Sequence, residues 1–297
     1  MGLLKAIRGE NTIEGYDYDN IFVQEGERLR VQMTITRNFD LPVLKEIFAN
    51  RKGVTVLDVG CNEGDQSMDR LTGFDVTNYI GIDRSTVAIE KATEKYKDDI
   101  THFYRIDVSS EMFPIELTGV LQRNHIDRVD VIICSMVLLH LEDPAEVLKQ
   151  LYPFLNPGGV IFVRDIDDRD NCAEPDPNHT FDRGYAIVDR CKDSGNRHTG
   201  RNIGKWLTAA GFSNVRRVRK GLSSMGMTND EKLALYETYF GFFMPDAEAR
   251  VEEEPNNEHA LADLGWCHYY LPKIKDIFLM PGFTFTLGFT TYIATKE

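Results

Sequence analysis

Two glycines, Gly60 and Gly64, lie in the segment VLDVGCNEGDQSMDRL, between an apolar run that reads as a strand and a stretch that reads as a helix. Glycine lets a backbone turn sharply at such a junction and approach a ligand closely. Asp83 closes a second apolar run, YIGID, 19 residues beyond Gly64. A carboxylate there can accept hydrogen bonds from both hydroxyls of an adenosine ribose. The combination points to a nucleoside-containing ligand. A dinucleotide fingerprint starting at Gly60 needs glycine at 62 and 65, where the chain has Asn62 and Asp65, with Glu63 between them. Carboxylates facing a pyrophosphate repel it, which disfavours NAD and FAD and favours a nucleoside that carries positive charge and no phosphate.

Those residues must be positioned by a parallel sheet. VTVLDVG, YIGID, RVDVIICSM and GGVIFVRD are short apolar runs of the kind that form buried parallel strands. Helical segments alternate with them, among them STVAIEKATEKY, which opens on Ser85 as an N-cap. Such alternation implies right-handed crossovers, with ligands bound beyond the carboxyl ends of the strands. Leu41, Leu44, Ile47 and Phe48 recur at helical spacing behind a polar N-terminal arm. Asn156-Pro157-Gly158-Gly159 is a turn signal, and DIDDRDNCAEPDPNHT reads as a long polar loop. A helix RNIGKWLTAAGF, a basic strand NVRRVRK, a helical stretch and the β-rich FTFTLGFTTYIAT complete the chain. The organisation expected is an arm and helix over 1–50, a ligand-binding core over 51–220, a helical cap over 221–280 and a closing strand over 281–297.

Composition narrows the partners. The 297 residues are 42% hydrophobic and 27% charged, as in ordinary folded domains, with a net charge of −13. That balance works against nucleic acid and anionic membrane. Arg216, Arg217, Arg219 and Lys220 form the densest basic patch and read as solvent-facing decoration of a strand. Cys61, Cys134, Cys172, Cys191 and Cys267 are scattered without any CxxC pair, so neither a disulfide framework nor a zinc site is indicated, and a reducing cytoplasm is expected. No signal peptide, membrane span or complete myristoylation pattern is read from the sequence.

VLDVGCNEG and YIGIDRS resemble the first and second motifs of class I S-adenosylmethionine-dependent methyltransferases, and FYRIDVSS resembles their third segment. VDVIICSMVLLHLEDP followed by LNPGGVIFVRD resembles the fourth strand, its helix and the fifth strand. The resemblance spans about residues 51 to 220. It implies a Rossmann-like doubly wound α/β fold, with a mostly parallel seven-stranded sheet and helices on both faces. It also implies S-adenosylmethionine as cofactor, a sulfonium and ammonium compound without phosphate. The cofactor contacts implied are Asp58, Gly60, Cys61, Asn62, Gly64, Asp83, Arg84, Ser135 and Met136, with Asp107 on the adenine amino group, Val108 on its ring and Arg37 on the carboxylate. Asn62 departs from the glycine usual in the family, yet asparagine accepts a positive φ. Asp58 reads equally well as an internal anchor of the loop, and Cys61 as a packing residue.

Methyl transfer is mostly positioning, with a base needed where the acceptor starts protonated. His140, just after the fourth strand, is the candidate base, or else a residue that packs the following helix. Tyr18, His179, Arg197, His198 and Tyr239 are the candidate acceptor contacts. Tyr236, Tyr239, Phe240, Phe242 and Phe243 suit an acceptor pocket, core packing or a homodimer interface. Asp165, Asp167 and Asp168 read as a solvated acidic loop in preference to a magnesium site, so no metal is expected. A Pro-Pro-aromatic turn or Pro-Cys nucleophile of base-methylating enzymes is absent from ICSMVLLH. The reading is therefore methyl transfer to an O or N atom of a small molecule, with RNA or protein methylation, or a non-catalytic S-adenosylmethionine-binding regulator, as alternatives.

Overall fold

A computed structural model describes residues 18–190 and 195–297, with side chains from Leu29 onward. The chain forms two compact units, each assembled from several segments. The larger comprises Phe39–Asp167, His198–Lys220 and Phe289–Glu297; the smaller comprises the described residues within Met1–Asn38 and Asp168–Arg197, together with Gly221–Gly288. These limits differ from those drawn on the sequence. The polar segment that follows the fifth strand groups with the helical stretch beyond Gly221, and the closing strand is shared.

In the larger unit, strands β1 (Val54–Val59), β2 (Val76–Asp83), β3 (Thr101–Arg105), β4 (Val129–Ser135) and β5 (Leu155–Ile166) are parallel and lie in the order 3-2-1-4-5. Their apolar runs are continuous because both faces are covered. Val54 and Val56 pack with Leu44, Ile47 and Phe48 on one face, while Leu57 and Val59 pack with Leu117, Leu121 and Leu148 on the other. Helices α1 (Tyr18–Phe48), α2 (Asp65–Leu71), α3 (Thr86–Lys95), α4 (Phe113–Arg123) and α5 (Pro144–Leu151) connect or precede these strands. Ser85 caps α3 by accepting from the Ala88 amide at 3.2 Å, and Asp143 caps α5 through the Glu146 amide.

Beyond β5 come β6 (Cys172–Glu174), α6 (Thr180–Val188), α7 (Ile203–Ala209), β7 (Ser213–Ser223), α8 (Asn229–Phe240), α9 (Phe243–Glu253), α10 (Glu258–Phe278) and β8 (Thr284–Thr295). The last part of β8 runs antiparallel to β5, from Phe289 opposite Ile166 to Thr295 opposite Val160. Its first part pairs antiparallel with β6, Thr286 opposite Cys172. The sheet thus has eight strands among the described residues rather than seven, because three residues of the polar segment, Cys172–Glu174, add a short strand. In the smaller unit Phe181, Tyr239, Phe240, Phe243, Phe278 and Phe285 are all buried and in mutual ring contact. The aromatic run on α8 is therefore the core of that unit. No helix among the described residues is long and apolar enough to cross a membrane.

Candidate functional site

The loop between β1 and α2 is left-handed at Gly60 (φ 69), Asn62 (φ 50) and Gly64 (φ 80). The amides of Gly60 and Cys61 both donate to the Ile82 carbonyl, at 2.8 and 3.1 Å, so the loop folds back onto the end of β2. Asp83 completes the stitching: its Oδ2 accepts from the Asn62 amide and its Oδ1 from the Ser85 amide, each at 2.9 Å. The side chain is only half-buried, so a ligand can reach it.

A methyl group at Gly60 would run into Val137 Cγ2, on a backbone that side chains rarely adopt. Gly60→Ala is expected to lower stability by about 2–5 kcal/mol, from left-handed strain plus overpacking. Gly73 has a φ of 89, and a methyl group there would meet nothing within 4 Å, so Gly73→Ala isolates the backbone part. It is expected to cost about 1–2 kcal/mol. Urea denaturation of the two variants checks the difference.

The other residues of this loop divide by where their polar atoms go. Asp58 is buried, and its Oδ2 accepts from Ser67 Oγ at 2.5 Å and the Tyr79 hydroxyl at 2.7 Å. Burial raises its pKa, and those two hydrogen bonds oppose the rise. These contacts are those of an internal anchor. Cys61 is buried, and burial raises its thiol pKa, with Asp58 and Asp83 adding to the effect, so it is held as a thiol. Glu63 and Asp65 pair with α3: Lys91 lies 3.2 Å from Glu63 Oε1, while Lys95 and the Tyr96 hydroxyl lie 2.5 Å from Asp65 Oδ1. Glu63 and Asp65, the carboxylates that the sequence set against a pyrophosphate, are thus partly neutralised by lysines. Asn62 Oδ1 accepts from the Glu63 amide at 2.7 Å.

Asp107, after β3, accepts the Ser109 amide and hydroxyl on Oδ1, and Val108 is buried beside it. Arg84 is half-buried next to Asp83. At the end of β4, Ser135 Oγ is buried without a hydrogen-bond partner. Met136 is left-handed (φ 59), and its amide donates to the Arg164 carbonyl at 2.8 Å. The half-buried His140 ends a short 3₁₀ turn, Leu138–His140, tethered by the Leu139 amide to Asp165 Oδ2 at 3.2 Å.

Of the acceptor candidates, Arg197 and Tyr239 meet at Asp168. Tyr18 begins α1, but its side chain lies outside the described residues, and Arg37 is exposed further along that helix. His179 precedes α6, 80% exposed, with Nδ1 2.9 Å from Asp182. Arg197 and Tyr239 both serve Asp168: Arg197 Nε donates to Oδ2 at 2.9 Å and Nη2 to Oδ1 at 3.2 Å, and the Tyr239 hydroxyl donates to Oδ2 at 2.9 Å. His198 Nδ1 stands 3.8 Å from Asp167, which also receives Arg201. Asp165, Asp167 and Asp168 are buried rather than solvated, each occupied by backbone amides or arginines.

One buried network is not apparent from the sequence. Asp40 Oδ2 accepts from Arg164 Nη1 at 2.5 Å, with Arg70 Nε 3.0 Å from the same oxygen, and all three side chains are buried. The signal that could have found it is an arginine inside the apolar run GGVIFVRD, since a buried guanidinium requires an acid.

S-adenosylmethionine suits this site on the structure's own terms. The loop backbone is left-handed at its glycines, Asp83 and Asp107 can accept from hydroxyl and amino donors, and Ser135 Oγ is an orphaned buried hydroxyl. Carboxylates also suit a cationic ligand. The family model of the methyltransferase domain matches residues 32–217. The chain is 33% identical over 114 residues to a tRNA U34 carboxymethyltransferase of Campylobacter curvus, covering 38% of this chain and 35% of that protein. It is 32% identical over 118 residues to a ubiquinone biosynthesis O-methyltransferase of Pasteurella multocida, covering 39% and 47%. It thus spans less than half the length of either relative. The YcgJ protein of Bacillus subtilis has a similar fold, with a TM-score of 0.53 at 16% identity over 88% of this chain and 99% of that one. The glycine loop, the carboxylate at the end of β2 and the family match agree, and the chain belongs to the methyltransferase-domain family, the class I S-adenosylmethionine-dependent methyltransferases.

Proposed function

We propose that this chain transfers the methyl group of S-adenosylmethionine to an oxygen or nitrogen atom of a small molecule. The observation that carries the reading is the Gly60–Gly64 loop clamped to Asp83. When bound, the cofactor supplies an electrophilic methyl on a sulfonium. Asp83 accepts from the ribose hydroxyls, Asp107 from the adenine amino group, and Val108 packs on the adenine. Ser135 Oγ donates to the cofactor from the end of β4. His140 removes a proton where the acceptor carries one. In-line attack needs no covalent intermediate, so positioning is the main contribution of the protein.

The tRNA-modifying relative favours a second reading, an RNA acceptor. The net charge of −13 opposes it, because phosphate contacts need a surplus of Lys and Arg. Calorimetry with S-adenosylmethionine, S-adenosylhomocysteine and NAD tests the cofactor, and transfer of labelled methyl to small phenols and amines or to bulk tRNA tests the acceptor. Micromolar binding of both sulfur nucleosides without NAD binding is expected, with label on small molecules. Label on tRNA overturns the acceptor reading, and failure of both sulfur nucleosides to bind overturns the whole.

A further inference from the structure

Asp263, on α10, is 2% exposed and receives three arginines. Arg183 Nη2 donates to Oδ1 at 2.9 Å, Arg190 Nη2 to Oδ1 at 2.7 Å, Arg190 Nε to Oδ2 at 3.0 Å and Arg250 Nη1 to Oδ2 at 2.8 Å. Those four bonds fill the roughly four acceptor positions that a carboxylate has. Each guanidinium carries five N–H donors in a rigid fork, so all three keep donors that Asp263 cannot take. Glu254 also approaches the cluster, with Oε2 4.0 Å from Arg250 Nε and its side chain 45% exposed. The three arginines outnumber these two acids, so the cluster is positive in a chain whose net charge is −13.

The placement is also that of a site rather than a closed staple. Arg183 stands on α6, Arg190 follows two residues beyond the end of that helix, and Arg250 joins them from the last turn of α9. Their side chains are 44%, 34% and 16% exposed around a buried carboxylate, so Arg183 and Arg190 in particular are open to solvent. Asp263 holds the forks in register before any ligand arrives, which reduces the entropy lost on binding.

We propose that Arg183, Arg190 and Arg250, organised by Asp263, form an anion site for a phosphate dianion, either inorganic phosphate or the phosphate of a monoester. The surplus of one positive charge over these two acids attracts an anion, and bidentate forks match phosphate oxygens. The assignment is independent of the methyl-transfer reading.

Calorimetry of the full chain with inorganic phosphate and with glycerol phosphate tests it, with sodium chloride at matched ionic strength as control. Saturable phosphate binding is expected, weakened about tenfold or more in Arg183→Gln and less in Arg183→Lys, which keeps the charge without the fork. Arg183 is the most exposed member, so the unliganded melting temperature and S-adenosylmethionine binding of Arg183→Gln should match wild type. If that variant melts early, Arg183→Lys carries the comparison. Tighter binding of glycerol phosphate assigns the site to phosphorylated metabolites, and equal binding assigns it to free phosphate. No saturable binding, or equal phosphate affinity in wild type and both variants, overturns the proposal and leaves the cluster as a tie between helices.

Discussion

Replacing Asp83 by alanine is expected to weaken S-adenosylmethionine binding by about 100-fold or more, read by calorimetry. The carboxylate has two functions in the proposed site. It fixes the Asn62 and Ser85 amides, and in the proposed site it also accepts from the ribose hydroxyls. Each charge-assisted hydrogen bond lost costs about 1.5–3 kcal/mol, and about 2.7 kcal/mol already gives the 100-fold loss. Asp83→Asn separates the functions: it keeps a carbonyl for one amide but loses the charge, and an intermediate affinity is expected. An Asp83→Ala protein that binds the cofactor as wild type does would remove this residue from the site.

Asp40→Ala is expected to be the most destabilising single change in the larger unit, lowering unfolding free energy by about 3–5 kcal/mol. It removes the carboxylate that Arg164 and Arg70 share and leaves buried guanidinium charge uncompensated. Arg164 is sensitive because its Nε and Nη2 have no hydrogen-bond partner, and its charge rests over the Phe289 ring at 5.1 Å. Burial pulls its pKa down to about 10, while Asp40 opposes that fall. Urea denaturation measures the loss. Adding Arg164→Met should recover part of it, since an apolar side chain of similar length no longer needs the acid. A double variant as unstable as Asp40→Ala alone would show that the cost lies elsewhere.

The glycine loop, the N-cap at Ser85 and the alternation of strand and helix were legible in the sequence because each is local. A positive φ or a cap is set by residues a few positions apart. The Asp40–Arg70–Arg164 network was not legible, since its members are far apart in the chain and meet only once α1, α2 and β5 are packed. The same holds for Asp168, whose partners Arg197 and Tyr239 read as candidate acceptor contacts until tertiary structure pairs them. Glu63 and Asp65 illustrate the reverse. Their charge was visible, but Lys91 and Lys95 on the next helix determine what it meets.

The division of the larger unit among three chain segments bears on how the protein is made. Strand β5 gains its antiparallel neighbour from residues 289–295, which are synthesised long after it. Until then one edge of β5 is a bare row of amides and carbonyls, able to pair with any other strand. Folding by such distant contacts is slow, because loop closure precedes the reward. A nascent chain should therefore be most prone to aggregation late, after β5 has emerged and before β8 arrives.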